Sequence, residues 1–301
     1  MLKCMAWVGT GLVWTVAGGL PSSRLFGQGT HESRRGTFSF VQISDSHIGF
    51  AKPPNTDVIG TLKIVVDRIN ALPEPPDFIL HTGDLTHLAK PAEFDTVAEV
   101  LKGLRVGRVL YVPGEHDFDG EDNKLYRERF GRGTHGSGWY SFDHQGVHFV
   151  GLVNVASSNS GGPSSGMGKL GEEQLAWLGK DLVGLADSAP IVVFAHVPLW
   201  SVYEKWGWGT EDAARALALL KRFGSVTVLN GHIHQVMQKV EGRVAFHTAR
   251  STAFPQSEPG KGTPGPIRDV PAGQLRSVLG LTTVKYVERG DQLAIADPTL
   301  D

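Results

Sequence analysis

Between residues 37 and 154 two kinds of apolar pattern take turns. "TFSFVQIS" (37–44), "DFILHTG" (77–83) and "RVLYVPG" (108–114) are short runs rich in β-branched and aromatic residues, closed by Ser, Gly or Pro-Gly, which predicts strands. Asp57–Leu72 and Glu93–Leu104 instead repeat apolar residues at spacings of three and four, which predicts helices. "GWYSFDHQGVHFVGLVN" (138–154) is interrupted at "HQG" and reads as a hairpin. The alternation then resumes, with a helix over Glu172–Leu185, a strand over 189–198, a helix over Thr210–Phe223 and a strand over 225–234. A hairpin around Glu241–Gly242, a Pro/Gly-rich irregular stretch (255–273) and strands near 277–287 and 292–296 follow. Strand, helix and strand joined by short connections predict an α/β layered core. With no repeat and no compositional break, residues 37–301 are expected to form one domain.

The first 36 residues depart from this pattern. Lys3 precedes an uncharged apolar stretch, Cys4–Leu20, with small residues Ala17, Gly18 and Gly19 at its end. That is the shape of a secretory leader over 1–20, followed by a polar linker over 21–36. It also resembles the tail of a twin-arginine leader whose arginine pair would precede "LK", with a start upstream of Met1. An uncleaved anchor and a buried helix are the competing readings. The expectation is an exported protein, periplasmic or secreted, with no integral membrane association once the leader is removed. The single cysteine, Cys4, lies inside this stretch, so the mature chemistry must use His, carboxylate or Ser. No Gly-x-Ser-x-Gly elbow closes a strand, which argues against a serine hydrolase. A formal net charge of −2 gives no bulk attraction for polyanions, so no stable nucleic-acid partner is expected.

The ionisable residues fall in a telling place. Five predicted strands end in a turn bearing His or an acid: Asp45 and His47 in "SDSH", Asp84 in "TGD", Glu115, His116 and Asp117 in "PGEHD", His196 in "AHVP", and His232 and His234 in "NGHIH". In layered α/β folds, ligands gather at the carboxyl ends of strands, so these side chains are expected to meet. Glycines before Asp84, Glu115 and His232 would let backbone approach a crowded centre. Imidazole and carboxylate without thiolate suit Mn, Fe or Zn ions. Seven candidate ligands exceed one tetrahedral site and suit two divalent ions roughly 3.5–4 Å apart, with a bridging hydroxide as nucleophile.

This ordered set resembles the calcineurin-like metallophosphoesterase superfamily, whose pattern is Asp-x-His, Gly-Asp, Gly-Asn-His-Asp/Glu, a single His, then Gly-His-x-His. The resemblance spans residues 38 to about 250. It implies a four-layer αββα sandwich of two mixed β-sheets flanked by helices, and a metal-dependent hydrolase of phosphate esters acting on a small phosphodiester or phosphomonoester. Carried over by position, it implies that Asp45, His47 and His234 bind one metal, that His196, His232 and Glu115 bind a second, and that Asp84 bridges. It further implies that His116 assists the leaving group or a phosphoryl oxygen. Asp117 would orient that imidazole or cap the turn. His87, where purple acid phosphatases carry an iron-binding Tyr, would be a supporting group or a helix-entry residue.

Glu115 stands where the pattern has a neutral Asn. Its charge makes the centre one unit less positive, which matches a monoanionic phosphodiester better than a dianionic monoester. The alternative is a non-hydrolytic metal- or ligand-binding member of the same fold. For the substrate side, Trp200 in the aromatic loop after His196 could stack a leaving group or pack on its own loop. Arg250, with His247 nearby, could reach phosphate or make a structural ion pair. The Gly/Ser loop 157–168 could be a lid or a surface linker.

Overall fold

The computed structural model describes residues 15–17, 20–22, 37–119, 123–155, 167–267, 269–271, 273–287 and 292–301. Two three-residue strands, β1 (Thr15–Ala17) and β2 (Leu20–Ser22), pair antiparallel within the leader-like stretch. The rest of the leader, the linker and most of the Gly/Ser loop lie outside the described residues. No described helix is long and apolar enough to cross a membrane.

The main body is built on two mixed sheets. The first has the order β13-β12-β3-β4-β5, formed by β3 (Thr37–Ile43), β4 (Phe78–His81), β5 (Val109–Tyr111), β12 (Thr282–Val287) and β13 (Gln292–Ala296). The second has the order β10-β11-β9-β8-β7-β6. Its strands are β6 (Tyr140–His144), β7 (Val147–Gly151), β8 (Ile191–Phe194), β9 (Val226–Asn230), β10 (Gln238–Glu241) and β11 (Val244–Thr248). β3, β4 and β5 run parallel to one another, as do β7, β8, β9 and β11, while the outer hairpin partners run antiparallel. Gln145 and Gly146, at φ 45 and 85, make the tight turn of the β6–β7 hairpin.

Alternation along β3 explains the layering. Phe38 and Phe40 point between the sheets, where they meet Phe78, Phe149, Phe194 and Leu229. Val41 and Ile43 belong to the opposite face, covered by Leu62, Val65 and Ile69 of α1 (Val58–Asn70) and Phe94 and Val97 of α2 (Pro91–Leu101). The outer face of the second sheet is covered by α4 (Glu172–Asp181) and α5 (Ala213–Leu220) through Leu175, Leu178, Ala216 and Leu220. The result is a four-layer αββα sandwich. Each fully buried Phe or Leu contributes roughly 1.5–3 kcal/mol of transfer free energy.

A polar residue, Gln42, enters the inter-sheet layer at the end of β3. Gln42 is fully buried, and its Nε2 donates to Thr82 Oγ1 and to the Asn230 carbonyl, both at 3.0 Å. Asn230 in turn donates to the carbonyls of Ala195 and Val197. These bonds tie the carboxyl ends of β3, β4, β8 and β9 together, directly beneath the turns that carry the candidate ligands.

Two elements differ from the sequence expectation. Lys124–Phe130 forms α3, whose single buried residue, Tyr126, left little periodic signal. The strand expected near 277–287 begins only at Thr282, after a short helix α6 (Leu275–Val278).

Candidate metal centre

The turns after β3, β4, β5, β8 and β9 converge at one end of the sandwich. The first two lie side by side, because Asp45 N–H donates to Gly83 O and His47 N–H to Asp84 O, each at 3.0 Å. Five of the gathered residues have left-handed backbone: Asp45 (φ 56), His47 (φ 40), Asp84 (φ 52), His232 (φ 68) and His234 (φ 56). Asp and His are among the non-glycine residues that enter this region most readily, yet each still costs on the order of 1–2 kcal/mol. Such strain persists only where the surrounding structure over-determines it. Glycine is required at three neighbouring positions, and at Gly83 (φ 97) an added side chain would collide with the His196 ring and the Gly114 N–H. A side chain on Gly114 would collide with Asp84, and one on Gly231 with Ser44 and Asp45.

Hydrogen bonds fix which imidazole nitrogen faces inward. His196 Nδ1 donates to Thr82 O at 2.7 Å, and His234 Nδ1 donates to Phe254 O at 2.6 Å. A carbonyl can only accept, so Nδ1 carries a proton in both rings, and in the neutral form the lone pair lies on Nε2. The Nε2 of His234 lies 3.2 Å from Asp45 Oδ1 and 3.2 Å from His47 Nε2. On the other side, the two Glu115 oxygens lie 2.9 Å from His196 Nε2 and 2.9 Å from His232 Nδ1. Asp84 Oδ2 stands between the groups, 3.4 Å from His47 Nε2 and 3.3 Å from His196 Nε2, while its Oδ1 accepts His116 N–H at 2.9 Å. Ligand atoms of Asp45, His47 and His234 lie within 4.8 Å of one another, and so do those of Glu115, His196 and His232.

The electrostatics are those of lone pairs crowded together. Burial, helped by His116 and His234, holds the His47 imidazole well below its ordinary range. Burial also opposes charge on His196, but Asp84 and Glu115 outweigh it and hold that imidazole well above. Burial likewise works against ionised Asp45 and Glu115, yet the neighbouring imidazoles keep both below the usual carboxylate range. His196 Nε2 and both His232 ring nitrogens are enclosed, with a Glu115 oxygen 2.9 Å from His196 Nε2 and the other 2.9 Å from His232 Nδ1. Enclosed lone pairs aimed at common points are the donor set of a cation site, and the absence of thiolate suits Mn, Fe or Zn. The residues present therefore fit divalent metal.

The supporting residues were only partly visible in the sequence. Asp117 acts as the turn cap: its carboxylate accepts N–H bonds from Leu85, Thr86 and Gly114 and the Thr86 hydroxyl, all at 2.9–3.0 Å. Burial and the neighbouring Asp84 push its carboxyl up to about 7, against the pull of those backbone N–H groups. The His116 ring is oriented by His87, whose carbonyl accepts from His116 Nδ1 at 2.8 Å and whose ring stacks on it at 4.9 Å. His87 also faces His47, with their Nδ1 atoms 3.5 Å apart.

Sequence reasoning missed Ser251 and Phe254. The Ser251 hydroxyl donates to Asp45 O at 2.7 Å, and the Phe254 ring lies against His47 at 4.7 Å. Their only signal was the position of "ARSTAFP" just past the last histidine strand. The two residues expected to touch substrate are engaged elsewhere. Arg250 donates to the Asp297 carbonyl at 3.0 Å, and the Trp200 ring packs on Phe246, 5.0 Å between centroids, in the core under α5. His247 pairs with Asp297 at 3.0 Å.

Known proteins share this arrangement of chain. The sequence profile of the calcineurin-like phosphoesterase family matches residues 38–236. A 3',5'-cyclic-nucleotide phosphodiesterase of Nostoc sp. is 25% identical over 229 residues, 72% of this chain and 79% of that protein. A glycerophosphodiester phosphodiesterase of Enterobacter lignolyticus is 28% identical over 213 residues, 65% of this chain and 70% of that protein. In fold, a dimetal phosphatase from Danio rerio superposes with a TM-score of 0.62 over 88% of this chain and 99% of its own, at 16% identity. With the match running from the first sheet strand through the last histidine turn, the chain belongs to the calcineurin-like phosphoesterase family.

Proposed function

We propose that this protein hydrolyses small phosphate esters, phosphodiesters in preference to monoesters, with two divalent ions held by the histidines and carboxylates at the strand ends. The observation that carries the reading is Asp84, whose Oδ2 lies within 3.4 Å of an imidazole from each of the two ligand groups. The phosphodiesterase names of its relatives support the diester preference. Bound ions would supply Lewis acidity at the phosphoryl oxygens and a water that is nucleophilic at neutral pH.

The chain's own residues do the rest. Asp45, His47 and His234 would hold one ion and Glu115, His196 and His232 the other, with Asp84 placed between the two groups. His116 keeps its Nδ1 proton on the His87 carbonyl, so Nε2 is the atom available to the leaving oxygen. Burial opposes its charge, but Asp84 and Glu115 outweigh it and raise His116 above the ordinary imidazole range.

The test is an assay of purified protein reloaded with Mn²⁺, Fe²⁺ or Zn²⁺ on nitrophenyl mono- and diesters, with metal analysis of the same sample. Turnover of the diester is expected. A fully loaded protein that turns over neither ester sinks the proposal and favours the alternative, a binding role on the same fold, to which the Glu115 carboxylate points. From the leader-like N-terminus we also propose export, checked by fractionating cells that express the full chain.

A further inference from the structure

The site carboxylates are not equivalent. The side chains of Asp45 and Asp84 are 0% and 2% exposed, whereas that of Glu115 is 24% exposed. Its two oxygens face two different imidazoles, His196 and His232, each at 2.9 Å. Glu115 thus brings a carboxylate to the more open side of the centre, on the group that would hold the proposed second ion. An amide in its place would offer one acceptor oxygen and one NH2 group that donates. A carboxylate offers only acceptors, so it cannot donate to a phosphate oxygen and repels one instead.

From this placement we infer that Glu115 reads the charge of the incoming ester and selects against dianions. The inference rests on the phosphoesterase reading above. A phosphodiester has one negative charge shared by two oxygens. A monoester near neutral pH carries close to two, because its second ionisation lies near about pH 6. Repulsion by one fixed carboxylate scales with ligand charge, so removing it relieves a dianion about twice as much, in free energy, as a monoanion. The specificity comes from a repulsive element added to an otherwise attractive site.

Two variants separate charge from coordination. Glu115→Gln keeps the length and removes the charge; Glu115→Asn supplies the shorter amide. Each is loaded with Mn²⁺, checked for metal content and thermal midpoint, and titrated by calorimetry with inorganic phosphate and with dimethyl phosphate. The ratio of diester to monoester kcat/KM is measured alongside. In at least one variant that retains both ions, phosphate affinity is expected to rise at least tenfold more than dimethyl phosphate affinity, and the kcat/KM ratio to fall at least tenfold, about 1.4 kcal/mol. Equal changes for the two ligands in every folded, metal-loaded variant overturn the inference. So does loss of metal from both variants, since Glu115 would then be needed for coordination itself. A wild-type protein that hydrolyses neither ester defeats the functional proposal alone, because the two calorimetric titrations still report whether Glu115 discriminates charge.

Discussion

Replacing Asp117 tests how the centre is held together. The carboxylate is 1% exposed and accepts four hydrogen bonds, from the N–H groups of Gly114 and Leu85 on one oxygen and from the N–H and hydroxyl of Thr86 on the other. It therefore staples the turn that carries Glu115 and His116 to the turn that carries Asp84. In Asp117→Asn the amide nitrogen is best placed toward Thr86, whose hydroxyl can rotate to accept it. One backbone N–H then faces another donor, at a cost of about 1–3 kcal/mol. Asp117→Ala strands three backbone N–H groups and opens a void, and about 3–6 kcal/mol is expected. Against a typical domain stability of about 5–15 kcal/mol, the Ala variant would sit near the edge of folding. Urea unfolding of metal-loaded protein, compared at constant slope, measures both values. The same variants should bind Mn²⁺ more weakly, in the same order, because Asp84 and the turn after β5 lose their common anchor. An Asn variant within about 0.5 kcal/mol of wild type, or an Ala variant no worse than Asn, refutes the stapling argument.

Three further outcomes follow from other parts of the molecule. His148, 7% exposed, lies between Asp143 (2.8 Å) and Asp181 (3.0 Å), and although burial opposes its charge these partners raise it above the ordinary imidazole range. A raised histidine stabilises the fold fully below its unfolded value of about 6.5 and loses that contribution as pH climbs through the folded value; the thermal midpoint of wild type should fall more steeply than that of His148→Gln between about pH 6 and pH 8. Removing metal with a chelator should lower the thermal midpoint and Mn²⁺ should restore it, by about 2.7 kcal/mol when free metal stands at a hundred times its dissociation constant. Trp200→Phe should cost about 1–2 kcal/mol of stability and leave KM for a nitrophenyl diester unchanged, since the ring packs on Phe246; a severalfold rise in KM would restore a substrate role to that residue.

What could be read from the sequence depended on whether a role belongs to a side chain or to the backbone. The sheet strands and most helices were legible because burial on one face imposes period 2 or 3.6 on residue type, as in Phe38, Phe40 and Val41 of β3. The candidate ligands were legible because each is an ionisable residue directly after such a run, where a structural explanation is weak. The groups that aim the imidazoles were not. Thr82 and Phe254 act through carbonyls, which every residue possesses, so nothing in their identity announces the task. Trp200 and Arg250 are the opposite case. Their side chains look suited to substrate, but a residue type does not say which side of its strand or loop it leaves by. α3 escaped notice because seven residues with one buried position carry almost no period.

The left-handed backbone at Asp45, His47, Asp84, His232 and His234 alters how inactive controls should be made. Alanine at such a position deletes the ligand but leaves a methyl group in the disfavoured conformation, so a heat-labile variant would mix lost chemistry with unrelieved torsional tension. Glycine lets that tension go, and asparagine tolerates the conformation without the imidazole. A glycine knock-out at His232 should accordingly be a more heat-resistant apoprotein than the alanine one, while binding metal as poorly.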